Sequence, residues 1–373
     1  MGFVPKVAVM VLNFNGRVWL ERCLSSLLKL EYPNLDIHLI DNGSSDGSVD
    51  YVRSAFPMVS VTAYPENLGY AEGYNVAIRN VKADYVLLLN NDTEILSPRL
   101  VDDLVEALEA DRGIAAASCK MLFMSEPDTI NSIGGTGIRF WRGFADAGFG
   151  EKDEGQYDEP PVEPFSVCGG AALIRRDLYL SVGGFDSRFF AYSEDVDLCW
   201  RLRLLGYRVC YVPKARVLHH FSGSLPPSNM DRLKLLWTRR NLLRMIIKNC
   251  DRSTLGWALR SVLAHLCAML MWFSLTDPTK AICLARAVAW NITNLKDTLR
   301  ERRRIQLRRL ALEGKILAVM YQPFQIRQGR QHPRLSRLAD IIFGRGWPSG
   351  LRLDRCLSSG THRIPGEMPQ LKI

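Results

Sequence analysis

The nine cysteines form no CxxC pair and no zinc-type ligand spacing, so the sequence offers no zinc module. An odd count leaves at least one thiol unpaired in any disulfide scheme, and a reducing cytoplasm is the expected compartment. No GxGxxG follows the first apolar run, which removes an NAD-dependent oxidoreductase from consideration. The opening MGFVPKVAVMVLNFNGR lacks a basic leader and a small-residue cleavage site. Its short apolar run is read as a first strand and not as a signal peptide. No aromatic-basic module of the RNA-binding kind is present, and no nucleic-acid partner is expected.

What is present is a chain of 373 residues, 47% hydrophobic, long enough to bury a full core and to carry one large domain plus an appendage. Its charge is divided unevenly. Residues 228–373 hold 27 of the 48 Lys+Arg but only 9 of the 39 Asp+Glu, so this part is +18 and the preceding 227 residues are −9. A basic tail behind an acidic front points to an anionic contact, such as phospholipid headgroups.

The front has an α/β rhythm. KVAVMVLNF suits a strand buried on both faces, and Leu20, Leu24, Leu27 and Leu28 then fall on one helical stripe. LDIHLIDNG is a second strand, SSDGSVDYVRSAF a helix with Ser45 or Asp46 as N-cap, VSVTAYPEN a third strand, EGYNVAIRNV a helix and DYVLLLNND a fourth strand. This alternation predicts parallel strands joined by crossover helices. In such sheets ligands lie at the carboxyl ends of the strands. Asn13 and Asn15, Asp41 and Asn42, Asn67 and Gly69, and Asn90, Asn91 and Asp92 end the four strands. Asx turn chemistry accounts for each tip singly, but not for four converging on one rim. Such a rim suits Mg²⁺ or Mn²⁺ bridged to a diphosphate, with Asp92 as the carboxylate ligand and Asn90 beside it.

The ordered blocks VLNFNG, DNGSSDGS, ENLGYAEGYN, LLLNNDTEI, CGGAALIRR, GGFDSRFFAYSEDVDLCWRLRLLGY and PKARVLHHFSGS together resemble glycosyltransferase family 2, rhamnosyltransferase-like branch, over about residues 5–225. The resemblance implies a GT-A fold, one nucleotide-sugar-binding α/β domain with a mixed sheet, and inverting transfer from a nucleoside-diphosphate sugar. It implies that Asp41 binds the base or ribose, that Asn13, Asn15, Asn67, Gly69 and Asn91 line the donor site, and that 90–92 stands where the family has its DxD-type metal motif. Asn90 departs from that motif, and one carboxylate fewer should weaken metal binding. In SEDVD an acceptor hydroxyl needs a base. The family pattern selects Asp195, with Glu194 contacting the acceptor or orienting the loop. Asp197 is assigned to the acceptor side, although a first-turn acid favoured by the helix dipole explains it better. Gly169 and Gly170 are expected under sugar and acceptor, with Asp186 in the acceptor-side wall. His219 is the favoured imidazole for the metal or diphosphate, while His220 stays open.

Three segments are expected: a catalytic domain over 1–227, a basic helical region over 228–325, and a poorly ordered basic tail over 326–373. Residues 257–275 are nearly apolar but interrupted by Arg260 and His265, which suits an interfacial or re-entrant helix better than a clean span. The expected protein is a cytoplasmic glycosyltransferase, peripheral on the inner face of the cell membrane. It would take a nucleoside-diphosphate sugar, with dTDP-rhamnose or a UDP-sugar as the guess, and a glycan or lipid-linked acceptor. The alternative is a non-catalytic nucleotide-sugar-binding or assembly subunit, which would have no use for a base in SEDVD.

Overall fold

The structure is a computed structural model that describes residues 4–138, 143–159, 162–221 and 227–321. The expected tail from 326 on, and Ser222 to Ser224 of the last sequence block, lie outside the described residues. Met1–Arg327 form one compact unit.

The first four strands are β1 (Val7–Asn13), β2 (Leu35–Asp41), β3 (Ser60–Ala63) and β4 (Tyr85–Asn90). They are mutually parallel in the order β3-β2-β1-β4. Helices α1 (Arg17–Leu27), α2 (Ser48–Ala55) and α3 (Gly69–Asn80) make the crossovers. Side chains alternate across a strand, so Val7, Val9 and Val11 join one core while Ala8 and Met10 join the other. This is why β1 reads as a continuous apolar run. Leu20, Leu24 and Leu27 are buried on α1 as expected, but Leu28 has passed the helix end and is 43% exposed. The α2 N-cap is Gly47, not Ser45 or Asp46. Asp46 instead accepts from the backbone N–H groups of Ser48 and Arg17.

The remainder of the sheet departs from a purely parallel pattern. The next elements are β5 (Thr93–Ile95), α4 (Leu100–Ala110), β6 (Ile114–Phe123), β7 (Ile130–Ser132), β8 (Gly135–Ile138) and β9 (Gly143–Asp146). They are followed by β10 (Ala171–Arg175), α5 (Arg176–Ser181), α6 (Glu194–Leu204) and β11 (Arg208–His219). β10 enters antiparallel between β4 and β6, β11 is parallel to β6, and β5 closes the edge antiparallel to β11. β7 pairs with β6, and β8 and β9 form a separate ribbon. The result is the mixed sheet of a GT-A fold, of nine strands among the described residues.

Helices α7 (Pro227–Asn249), α8 (Arg252–Thr276), α9 (Pro278–Thr293), α10 (Leu295–Leu307) and α11 (Glu313–Met320) follow. α7 packs against α6, α8, α9 and α10. Its Leu242, Leu243, Met245 and Ile246 merge with the core that holds Trp200 of α6. The seam also carries buried charge. Lys248 reaches both Asp186 and Asp197, Arg244 binds Asp186 at 2.7 Å, Arg201 binds Asp197 at 2.8 Å, and Asn249 donates to Asp197 at 2.9 Å. Burial alone would raise the two carboxyls, yet the cations beside them hold both below the ordinary range. Asp186 and Asp197, expected on the acceptor side, have their carboxylates engaged in this cluster. Arg244 and Lys248, two of the charges in the basic excess of residues 228–373, are 1% and 2% exposed.

Removing one partner of a buried pair leaves the other charge uncompensated, at about 3–5 kcal/mol. Lys248→Ala should lose about that much in chemical denaturation, whereas exposed Arg303→Ala should change stability by less than ~0.5 kcal/mol.

Candidate active site

Parallel register delivers the strand ends to one edge. Asn13 lies opposite Asp41 and Leu12 opposite Asn90. Asn91 Nδ2 donates to Asn13 Oδ1 at 2.7 Å, and Asn13 Nδ2 donates to Asp41 Oδ1 at 2.8 Å and to Ser44 Oγ at 3.1 Å. The second Asp41 oxygen accepts the Ser44 N–H at 2.9 Å. All three of these Asx residues are buried. Their polar atoms build the floor of the rim, and Asn15 extends it by accepting the Ser45 N–H. Gly16 is the small residue this chain of amides requires, since a Cβ there would overlap the Asn91 amide. It stands within the VLNFNG block but had no role assigned from sequence.

On the third strand's loop, Asn67 Oδ1 accepts from Gly69 N–H and from Asn42 Nδ2. Gly69 has φ +79°, and a Cβ would lie 2.6 Å from the Phe190 carbonyl oxygen. That carbonyl accepts the Tyr70 N–H at 2.7 Å, which joins the donor-side loop to the segment leading into α6.

The metal candidates also converge. His219, at the end of β11, puts Nε2 3.3 Å from Asp92 Oδ1 and 3.4 Å from Asn90 Nδ2. Its Nδ1 lies 2.8 Å from Oδ1 of buried Asn131, an acceptor that calls for the ring proton on that side. The Nε2 lone pair then faces a carboxylate, and two acceptors this close fit a cation between them. Among the described residues no group of three or more His, Cys, Asp and Glu is arranged to hold a metal ion. His220 turns the other way, its ring 4.1 Å from that of Trp19.

Gly169 and Gly170 connect this edge to the acids. The Asn90 N–H donates to the Gly170 carbonyl at 3.0 Å, and the Gly169 N–H donates to Asp195 Oδ2 at 2.8 Å. Tyr70 Oη donates to the Gly169 carbonyl at 2.7 Å. Asp195 is half-buried. Burial raises its carboxyl, the Gly169 and Val196 N–H groups pull it back, the Asp146 charge adds to the rise, and the balance lies at about 6. Burial and then the neighbouring Asp195 push the Glu194 carboxyl well above the carboxylate range. Its Oε2 has no hydrogen-bond partner among the described residues.

These acids follow two consecutive left-handed residues, Tyr192 at φ 71° and Ser193 at φ 67°. Such backbone costs of order 1–3 kcal/mol per residue and persists only where its surroundings fix it. Asn241 of α7 does so here, donating to the carbonyls of Ala191 and Tyr192 at 2.9 and 2.7 Å. Asn131, Asp146 and Asn241 escaped the sequence reading. Each lies outside the recognised blocks.

A mixed α/β sheet with polar strand ends, a carboxylate–imidazole pair on one edge and a carboxyl poised near neutrality beside it defines a group-transfer enzyme of the nucleotide-sugar-binding class. The family model for glycosyl transferase family 2 matches residues 8–182. The N-acetylglucosaminyl-diphospho-decaprenol L-rhamnosyltransferase of Mycobacterium tuberculosis is 31% identical over 243 residues, which cover 59% of this chain and 77% of that protein. The O-antigen biosynthesis protein RfbC of Myxococcus xanthus is 30% identical over 230 residues, and the chain spans only 18% of its length. The fold is also like that of GalNAc-T7, solved with UDP, GalNAc and Mn²⁺, at a TM-score of 0.51 and 17% identity over 66% of this chain and 48% of that one. The chain belongs to glycosyltransferase family 2, and it is a glycosyltransferase.

The Asp195 environment has a consequence for stability. An acid raised from about 3.9 when unfolded to about 6 when folded favours folding below the lower value and loses that advantage as pH rises through the upper one. Asp195→Asn should therefore raise unfolding stability by roughly 1–3 kcal/mol at pH 8. The gain should vanish near pH 4, as read from paired denaturation curves.

Proposed function

We propose that the chain moves one sugar, with inversion, from a nucleoside-diphosphate sugar to a hydroxyl of a polysaccharide or lipid-linked glycan. The observation that carries this reading is the Gly169–Gly170 link, which bonds to Asn90 at the metal edge on one side and to Asp195 on the other. A base and a leaving-group site must flank one anomeric carbon, and the two-residue glycine bridge ties the two edges to each other, packed closely against Tyr70 and Met121. Rhamnose is our choice of sugar because the relative from M. tuberculosis is named an L-rhamnosyltransferase acting on a diphospho-decaprenol acceptor. The donor is then dTDP-rhamnose, with a UDP-sugar as the second choice.

Asp92 and His219 fit a divalent cation, a hard oxygen and an imidazole nitrogen facing each other. A bound Mg²⁺ or Mn²⁺, its shell completed by phosphate oxygens and water, would neutralise charge on the departing diphosphate. Asn131, 2.8 Å from the His219 Nδ1, would fix the ring with its Nε2 toward the cation. Asp41, Asn13 and Asn91 present the donor's nucleotide with a fixed rim, a role their mutual hydrogen bonds support. Asp195 takes the proton of the attacking hydroxyl, and a value near 6 suits a base working at neutral pH. Glu194, buried at the start of α6, orients the loop or contacts the acceptor.

We also assign the enzyme to the inner face of the cell membrane. α8 is long and apolar enough to cross a bilayer by length and composition, but Arg260 and His265 within it favour a position along the interface. Its last turns expose Met271 (66%), Trp272 (60%) and Leu275 (88%), and α9 adds Ile282 (52%).

Nucleoside-diphosphate release from dTDP-, UDP- and GDP-sugars, with Mg²⁺, Mn²⁺ or EDTA, tests the transfer reading. Wild type should turn over one donor only with metal, Asp92→Ala should be inactive, and Asp195→Asn should lose ~10²–10⁴-fold. Turnover unchanged in Asp195→Asn would remove the base assignment. For the membrane assignment, sedimentation with anionic vesicles should fall severalfold in Trp272→Ser/Leu275→Ser, and equal sedimentation would overturn it.

A further inference from the structure

A cavity of about 210 Å³ lies away from the strand-end rim, between the Val182–Arg188 segment, α6 and α10. Its walls carry six cationic side chains, Arg188, Arg201, Arg244, Lys248, Arg304 and Arg308, against three acids, Asp186, Asp297 and Glu301. The acids are already shared. Asp186 serves both Arg244 and Lys248, Asp297 serves Arg244, Arg188 and Arg300, and Glu301 pairs with Arg304.

Arg201 is the decisive group. It is 7% exposed, its Nε binds Asp197 at 2.8 Å and its Nη1 donates to the Val182 carbonyl at 2.9 Å. Its Nη2 is buried without a hydrogen-bond partner among the described residues. A buried guanidinium nitrogen without an acceptor is costly, and here it belongs to a residue lining a cavity with excess positive charge. At the mouth, Glu301, Arg304, Ile305 and Arg308 follow the i, i+3, i+4, i+7 spacing of one helical face. The Arg304 guanidinium lies against the backbone of Gly183, where a Cβ would come within 2.7 Å, and Arg308 donates to the Ser181 carbonyl at 2.7 Å. Arg308 is thereby held across the opening by a carbonyl that carries no charge to neutralise it, and Arg304, 3.7 Å from Glu301, packs beside it against Gly183.

We propose that this cavity is an anion site that takes a phosphate or diphosphate ester, with the Arg201 Nη2 as its buried donor and Arg304 and Arg308 as its closing pair. Guanidinium forks match phosphate geometry, and the volume is below that of pockets for drug-sized ligands, which fits the charged group of a ligand and not a whole nucleotide. The site stands independently of the transfer reaction.

Calorimetric titration of the full chain with pyrophosphate, in EDTA so that no metal bridges it to Asp92, tests the assignment. Arg304→Ala/Arg308→Ala should weaken binding at least tenfold. Arg300→Ala/Arg303→Ala, the same charge loss on the same helix at positions that do not line the cavity, should leave it within twofold. Equal losses in the two variants would reduce the effect to general electrostatics and overturn the site, as would unchanged affinity in the first or no saturable binding by wild type. Arg201→Ala should abolish binding, and the two rim variants keep the test decisive if it fails to fold. Phosphatidylcholine vesicles containing phosphatidylglycerol separate two sources of the ligand. Competition between vesicles and pyrophosphate that the rim variant loses assigns the site to a lipid headgroup. Pyrophosphate binding that vesicles do not disturb assigns it to a soluble phosphate compound.

Discussion

The pairing of Lys248 with Asp186 and Asp197, deep under the seam between α6 and α7, is the constraint on which the site depends. Two carboxylates and an ammonium at 0–9% side-chain exposure are tolerable only as a unit, with Arg244, Arg201 and Asn249 using the remaining oxygen lone pairs. That unit fixes α7 along α6. Asn241, two turns earlier on α7, is thereby brought to the Ala191 and Tyr192 carbonyls, where it holds the left-handed turn that aims Glu194 and Asp195. The helical region in this sense helps to hold the two acids proposed to act on the acceptor. The strain in the turn is balanced by a cluster about two turns away along α7.

The sheet contributes the complementary half. Parallel pairing in register makes Asn13, Asp41 and Asn90 neighbours without any loop having to reach for them. The antiparallel insertion of β10 between β4 and β6 then starts its strand beside the end of β4. Gly169 and Gly170, just before β10, are set between the Asn90 strand end and the acids for that reason alone. A parallel strand in the same slot would begin at the opposite edge of the sheet.

The strand ends were legible because apolar runs closed by Asx residues have a period and a stop, and both survive folding. Strand direction was not: AALIR is five buried residues with no alternation, and nothing in it distinguishes up from down. The charge asymmetry was legible as a number but misleading as a location. A lysine on a helix carries no mark of where its counter-ion lies, and the partner of Lys248 is 62 residues earlier, in a block assigned to the acceptor wall. Part of the basic excess therefore neutralises the acidic front internally. Asn131 and Asp146 were invisible for a related reason. Each acts only through a neighbour, His219 or Asp195, that the fold supplies.

The neutral amide at position 90 bears on how the proposed reaction is ordered. With one carboxylate and one imidazole on the edge, the proposed site would offer a divalent cation little charge, and the diphosphate of the donor would supply most of what is missing. Binding of cation and donor is then coupled, and linkage makes the coupling reciprocal: whatever factor the donor adds to metal affinity, the metal adds to donor affinity. An acid at position 90 would hold the cation more tightly in the empty enzyme and shrink that factor. If Asp92 and His219 hold the cation as proposed, the neutral Asn90 would favour binding of cation and donor together over binding of the cation alone.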